Sequence, residues 1–161
     1  MSPMIRGEKQ GHKCCGSCCD VRRAVIVVNI VNIVNMLWVI FAMIVFQKTA
    51  STMTYDDDTQ QAAIDVVANM PLGLMIAIWL VSAVFSAVGI AGALLYNKWL
   101  VGVSGVFFCL SMIPDIMALN IPGIVYKGFF AYPHYFLVKE INQGIMTKEN
   151  YPNEKMSCCC V

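Results

Sequence analysis

The stretch AVIVVNIVNIVNMLWVIFAMIVF, residues 24–46, contains no ionisable side chain. An α-helix rises about 1.5 Å per residue, so this stretch extends roughly 35 Å as a helix, more than the roughly 30 Å hydrocarbon core of a bilayer. Residues 24–46 are therefore predicted to form a first membrane-spanning helix.

The composition of the whole chain agrees with a membrane protein. Its 161 residues are 58% hydrophobic and 13% charged, whereas a soluble domain is about 45–50% apolar and about 25% charged. Because so few charges do not cover a water-exposed surface, much of the surface is predicted to face lipid. The net charge of +1 gives no basic excess, and we therefore expect no nucleic-acid partner.

Three further apolar stretches give three more predicted spans: residues 69–96, 99–119 and 121–138. The last two do not form one straight helix, because roughly 40 residues would extend about 60 Å. The sequence ALNIPG, residues 118–123, places a Pro and a Gly between them, which indicates a tight turn. The predicted fold is all-α, an integral membrane four-helix bundle.

The distribution of Lys and Arg predicts the orientation of this bundle. Basic residues cluster before the first span, between the second and third, and after the fourth: Arg6, Lys9, Lys13, Arg22, Arg23, Lys98, Lys139, Lys148 and Lys155. The loop at residues 47–65 has one Lys and four Asp. Because cytoplasmic loops are enriched in Lys and Arg, both termini are predicted to be cytoplasmic. This divides the chain into a cytoplasmic juxtamembrane segment (1–23), a membrane domain (24–138) and a cytoplasmic tail (139–161).

Seven cysteines lie in two clusters within the predicted cytoplasmic segments. The clusters are KCCGSCCDVRR, residues 13–23, and SCCCV, residues 157–161, and their members are Cys14, Cys15, Cys18, Cys19, Cys158, Cys159 and Cys160. The cytoplasm disfavours disulfides, and juxtamembrane cysteines are frequent substrates of S-palmitoylation. We therefore predict covalently linked acyl chains on these cysteines. A zinc site that includes Cys15 and Cys18, prenylation of Cys158, and free thiols remain alternatives.

Two arginines, Arg22 and Arg23, stand between the first cysteine cluster and the first span. Basic side chains at the cytoplasmic edge of a membrane helix are attracted by anionic lipids. We expect both arginines to contact lipid headgroups.

Three asparagines, Asn29, Asn32 and Asn35, recur every three residues in the first span. At 100° per residue they form a slanting stripe on one side of the helix. Asparagine side chains in membrane helices form hydrogen bonds across helix interfaces. The stripe favours helix packing, either within the bundle or between protomers, and a substrate path is the alternative.

Asp115 and Lys127 are the ionisable residues of the predicted hairpin between spans three and four. Each lies six residues from the turn near residue 121, so both are expected at the same depth, about 9 Å from it. His134 follows seven residues after Lys127, on the same helix face. The three residues are either a site that handles protons or cations, or an ion pair that fixes the hairpin. Two prolines predict local bends beside them: Pro114 and Pro133.

Three stretches resemble the lysosomal-associated protein transmembrane family: CCGSCCDVRRAVIVVNIVNIV (14–34), YNKWLVGVSGVFFCLSMIPDIMAL (96–119) and VYKGFFAYPHYFLVKEI (125–141). The resemblance covers about half of the chain and implies four spans, residence on endosomal or lysosomal membranes, and a role in transport or in sorting of membrane proteins and lipids. The tail lacks the P-P-x-Y motifs of that family, so ubiquitin-ligase recruitment is not implied. The opening stretch also resembles small uncharacterised tetraspan membrane proteins of microbial eukaryotes.

The chain has no nucleophile–base pattern, phosphate loop or zinc-protease spacing, so we expect no enzyme and no cofactor other than covalent lipid. The predicted function is that of a non-enzymatic structural or adaptor tetraspan of endomembranes, which associates with lipids, with itself and with other membrane proteins. The plasma membrane is an alternative location. The alternative function is a small-molecule or ion transporter or channel that uses Asp115, Lys127 and His134.

Overall fold

The computed structural model describes residues 13–14, 19–50 and 71–150. These residues are helical apart from two short strands and the turns. The strands are β1 (Lys13–Cys14) and β2 (Cys19–Asp20), and the helices are α1 (Val21–Ala50), α2 (Leu72–Leu95), α3 (Lys98–Ser111), α4 (Ile113–Met117) and α5 (Ile121–Asn142). The strands pair antiparallel, with Lys13 opposite Asp20 and Cys14 opposite Cys19.

Three helical segments within the described ranges are long and apolar enough to cross a membrane: Val21–Thr49, Leu72–Leu95 and Lys98–Met117. The prediction of an all-helical, integral membrane protein is confirmed at this level. The fourth predicted span falls in α5, whose 22 residues extend about 33 Å. That α5 also crosses the membrane stays a prediction.

The third predicted span is interrupted in the structure. Helix α3 ends at Ser111, and α4 begins at Ile113. Pro114 explains the break, because proline has no N–H to donate to the carbonyl of Leu110 and its ring collides with that turn of the helix. Pro133 is buried inside α5, and the helix continues past it.

The chain divides into two compact units. Unit 1 contains Met1–Asn29 and Phe85–Val161, and unit 2 contains Ile30–Val84. Helices α1 and α2 contribute residues to both units.

Four helices contribute to the core of unit 1. The fully buried residues at its centre come from α1, α2, α3 and α5 and from the turn after α5: Val21, Val25, Ala93, Val101, Leu137 and Met146. The start of α1, the end of α2, the start of α3 and the end of α5 therefore lie at the same end of unit 1.

Helices α3 and α5 run antiparallel in a constant register. Three contacting pairs mark it along the two helices: Ser104 with His134, Phe108 with Phe130, and Ser111 with Lys127. Val101 and Leu137 continue the same register and belong to one core cluster. Each step of three or four residues forward along α3 is matched by an equal step backward along α5. Gly105 permits the close approach, because a Cβ at this position would lie 2.9 Å from the Cβ of His134.

Three helix ends close through a residue with positive φ. These are Tyr96 (55°) after α2, Leu119 (52°) after α4 and Gly144 (69°) after α5. In each case the next residue donates its N–H to a carbonyl five residues earlier: Asn97 to Gly92, Asn120 to Asp115 and Ile145 to Glu140. This is the Schellman arrangement of a helix C-terminus, and after α5 it turns Met146 back into the core of unit 1.

Unit 2 contains the later part of α1 and the earlier part of α2. The Asn32 Nδ2 atom donates to Ser82 Oγ at 3.0 Å, and both side chains are buried. Large apolar side chains cover the outer faces of these segments, for example Trp38, Phe41 and Leu80. Such surfaces match a hydrocarbon environment rather than water.

Candidate functional site

A buried polar cluster joins α1, α3 and α5 inside unit 1. It consists of Asn29, Ser104 and His134, which are at most 1% exposed, and we call it the histidine cluster. His134 Nδ1 lies 2.8 Å from the Phe130 carbonyl oxygen. A carbonyl only accepts, so we assign the ring proton to Nδ1, which leaves Nε2 as an acceptor.

Asn29 supplies the donor for this acceptor. Its Nδ2 lies 2.9 Å from His134 Nε2 and also donates to the Val25 carbonyl at 2.8 Å. The Oδ1 atom of Asn29 accepts from Ser104 Oγ at 3.3 Å, and Ser104 Oγ lies 3.2 Å from His134 Nε2. The network is thus complete with a neutral imidazole, because a proton on Nε2 would face the amide donors of Asn29.

Small residues make room for the histidine cluster. A Cβ at Gly89 would lie 2.5 Å from Ser104 Oγ and 2.7 Å from Asn29 Nδ2. Real Cβ atoms do not approach so closely, and therefore glycine at this position allows α2 to pack over the cluster. The small residues of the second span serve contacts within the chain at this point.

An ion pair joins α4 and α5 near the turn of the hairpin. Lys127 Nζ lies 2.5 Å from Asp115 Oδ2, and Asp115 Oδ1 accepts from Asn120 Nδ2 at 2.9 Å. The side chains are 29% and 17% exposed for Lys127 and Asp115. The structure therefore brings together the acid and the base of the predicted hairpin, and neither is fully buried.

Lys127 also compensates for the break between α3 and α4. Its Nζ donates to the Ser111 carbonyl at 2.6 Å, at the last residue of α3. The last carbonyls of a helix lack intrahelical partners, and a cation beside them contributes about 0.3–1 kcal/mol. One side chain thus holds the end of α3 and the carboxylate of α4 together.

His134 does not join this ion pair. Its ring contacts Asn29 and Ser104 instead, and seven residues, or about 10 Å along α5, separate it from Lys127. The predicted three-residue site is therefore divided into two groups. Sequence reasoning missed Ser104, whose signal is weak because it is one small polar residue among the small residues of VGVSG.

The asparagine stripe is also divided. Asn29 belongs to the histidine cluster, Asn32 bonds to Ser82 in unit 2, and Asn35 is half-buried on α1. Both buried asparagines thus have partners within the chain.

Both predicted headgroup arginines have protein partners. Arg22 Nε donates to the Ala93 carbonyl at 2.9 Å, and its guanidinium lies 4.9 Å from the centre of the Tyr96 ring. Asp20 caps the start of α1 by accepting from the Arg23 N–H at 2.9 Å, and its carboxylate lies 3.5 Å from Arg23 Nε. The arginines therefore fix the start of α1, and headgroup contact stays a prediction.

The cysteine predictions fall mostly outside the described residues. The structure gives only the backbone pairing of Cys14 with Cys19, and Cys15, Cys18 and residues 158–160 lie outside the described ranges. No group of three or more His, Cys, Asp or Glu residues suited to a metal occurs within those ranges. The eighth cysteine, Cys109, is exposed on α3. Acylation, prenylation and zinc binding at the two clusters all stay predictions.

The chain was compared with protein families, curated proteins and solved structures. No protein-family model, curated protein or solved structure matches this chain.

Proposed function

We propose that this protein is a non-enzymatic structural or adaptor tetraspan of endomembranes, with α5 as the fourth span and both termini in the cytoplasm. The constant register of α3 and α5 supports the fourth span, because α5 passes every level of α3 from Ser111 to Val101. A helix packed in this way crosses the same thickness as its partner.

One observation carries the proposal of a non-transporting role. The polar side chains of the histidine cluster all have partners: Ser104 donates to Asn29, Asn29 donates to His134, and His134 donates to the Phe130 carbonyl. A substrate path needs polar groups that exchange partners with water or with an ion. A closed, buried network instead fixes the packing of three helices.

The flux of purified full-length protein in liposomes tests this role. We expect proton and K⁺ flux equal to that of empty liposomes, measured with a pH-sensitive dye and with an imposed K⁺ gradient. A flux above that background which Asp115→Asn abolishes, while Lys148→Gln retains it, would establish the transporter instead.

Self-association and acylation complete the proposed role. Because Asn29, Asn32 and Gly89 are used within the chain, a second protomer would bind other surfaces. Energy transfer between two labelled copies, measured over a range of protein-to-lipid ratios, tests self-association, and transfer that follows random mixing would contradict it.

Acylation of the two cysteine clusters is tested on protein from native membranes. We expect a hydroxylamine-sensitive mass that is lost when the seven clustered cysteines are replaced by serine. Replacement of Cys109 alone is the matched control, because this cysteine lies in α3 and belongs to neither cluster. An unmodified mass together with bound zinc would establish the metal site instead.

A second candidate function keeps one specific observation in its favour. The Asp115–Lys127 pair is partly exposed and lies where Pro114 breaks the helix. Ionisable residues at broken helices are features of transporters. The Asp115→Asn arm of the flux experiment therefore decides between the two functions.

A further inference from the structure

A shallow surface cavity, largely open to its surroundings and with a volume of about 480 Å³, lies beside the link between α2 and α3. The link residues 95–99 form one wall, and Ile141 and Asn142 from the last turn of α5 form the other. All of these residues belong to unit 1. None of them takes part in the histidine cluster or in the Asp115–Lys127 pair.

The side chains of this cavity combine donors with aromatic rings. Lys98 contributes an ammonium group, Asn97 and Asn142 contribute amides, and Tyr96 and Trp99 contribute rings. The Oδ1 atom of Asn97 accepts from the Trp99 N–H at 3.0 Å, so its amide NH₂ group is the part left to donate. An ammonium and an amide donor in one cavity suit a phosphate oxygen, because hydrogen bonds to ionised acceptors are the stronger ones.

The charges around the cavity are mainly positive. Arg22 lies over the Tyr96 ring, and Lys139 lies one turn of α5 before the cavity residues. The carboxylates of Asp20 and Glu140, which flank residues of the same core, are 2% and 3% exposed. Among the described residues, Lys98, Lys139 and Lys148 are exposed near this end of unit 1 against one exposed carboxylate, Glu149, and this balance favours an anion.

The cavity lies at the end of the apolar helix α2. Leu95, the last residue of α2, is 69% exposed and Trp99 is 75% exposed. Tyr and Trp are enriched at the level of lipid headgroups. A lipid in the adjoining leaflet could thus place its phosphate in the cavity while its acyl chains follow the apolar surface of α2.

We propose that this cavity binds the phosphate-bearing headgroup of an anionic membrane lipid. Lys98 pairs with the phosphate, the Asn97 amide donates to it, and Trp99 packs against the glycerol region. The inference rests on the proposed placement of this link at the cytoplasmic surface, where anionic lipids are concentrated, and not on the adaptor role. Basic cavities at the cytoplasmic ends of membrane helices bind headgroups in this way.

Native mass spectrometry of the detergent-solubilised full-length protein tests the proposal. Phosphatidylserine and phosphatidylcholine with identical acyl chains are titrated against wild type, Lys98→Gln, Lys98→Arg and Lys148→Gln. We expect wild type to prefer phosphatidylserine and Lys98→Gln to weaken that binding about fivefold, as the loss of one basic contact to an anionic lipid predicts. Lys98→Arg retains the charge and should restore the preference.

The control variant and a soluble competitor separate the other outcomes. Lys148 is exposed in the same unit but does not line the cavity, so an equal loss in Lys148→Gln would reduce the effect to general surface charge and overturn the site. Equal binding of both lipids by wild type would overturn it as well. Displacement of phosphatidylserine by inorganic phosphate would assign the cavity to a soluble phosphate instead of a lipid. Unchanged self-association in Lys98→Gln keeps this test separate from the adaptor proposal.

Discussion

At the scale of single residues, Asn29 connects three helices through two side-chain atoms. Its Nδ2 bonds to His134 and to its own helix, and its Oδ1 accepts from Ser104. Removal of this amide would take from His134 and Ser104 their hydrogen bonds to α1 and leave them only their contact with each other. A buried polar group that loses its partner costs about 1–3 kcal/mol.

We therefore expect Asn29→Ala to lower the free energy of unfolding by about 1–3 kcal/mol. Asn35→Ala is the matched control, since Asn35 is the half-buried asparagine of the same helix, and we expect a smaller change there. Unfolding in mixed detergent micelles, followed by far-UV circular dichroism, measures both. Equal destabilisation by the two variants would show that the hydrogen bonds of Asn29 do not contribute to stability beyond those of a half-buried asparagine.

Glycine at position 89 provides a second test at this scale. A Cβ at Gly89 would overlap Ser104 and Asn29, whereas a Cβ at Gly73 on the same helix would meet no atom within 4 Å. We expect Gly89→Ala to destabilise the protein by about 1–3 kcal/mol, as overpacking does. Gly73→Ala should stabilise it by up to about 1 kcal/mol, because alanine favours the helix. The same unfolding assay distinguishes the two, and a stabilising Gly89→Ala would contradict the close packing.

At the scale of helices, the ends are closed by local hydrogen bonds even where the sequence offers no glycine. Leu119 adopts φ of 52° after α4 and is 82% exposed. A left-handed conformation costs a residue with a Cβ about 1–2 kcal/mol. The side chain of Leu119 makes no compensating burial, so the cost of this turn is not offset by packing.

Leu119→Gly is therefore expected to raise the free energy of unfolding by about 1 kcal/mol, the relief of this backbone cost less the higher entropy of glycine in the unfolded chain. Leu110→Gly is the comparison, because Leu110 is also an exposed leucine but lies inside α3. There glycine should destabilise by about 1 kcal/mol. A loss of stability in Leu119→Gly would indicate that the turn differs from the one described.

The apolar runs of the sequence predicted the three long helical segments because a membrane helix is marked by composition alone. The contact of Asp115 with Lys127 could also be predicted from the sequence, since each residue lies six positions from residue 121 at the turn. The partners of His134 could not be predicted from the sequence, because periodicity does not give the rotation of α5 relative to α1. Asn29 on α1 lies 105 residues before His134. The end of α3 at Ser111 depends on Pro114 and on a hydrogen bond from Lys127 of α5, and the sequence pattern does not reveal that bond.

At the scale of the whole molecule, the register of α3 and α5 bears on topology. If α5 crosses the membrane beside α3, Thr147 lies on the same side as Lys98. If α5 remained on one surface, the pairs from Ser111–Lys127 to Val101–Leu137 would not be satisfied together.

Single-cysteine variants in a cysteine-free background test this arrangement. In intact endomembrane vesicles the cytoplasmic face points outward, so a cysteine at Lys98 and one at Thr147 should react with a membrane-impermeant maleimide. A cysteine at Lys48, at the far end of α1, should react only after the vesicles are permeabilised. Protection of the Thr147 variant in intact vesicles, equal to that of Lys48→Cys, would rule out four spans.

The histidine cluster also constrains how the protein is made. Ser104 and His134 follow Asn29 by 75 and 105 residues, and ribosomes add about 5–20 residues per second. The first span is therefore synthesised roughly 5–20 seconds before the residue that completes its hydrogen bonds. During that interval the Asn29 amide of the nascent first helix has only the Val25 carbonyl of its own helix as a partner. Biogenesis of this protein thus requires the first helix to remain stable in the membrane until the last helix has been synthesised.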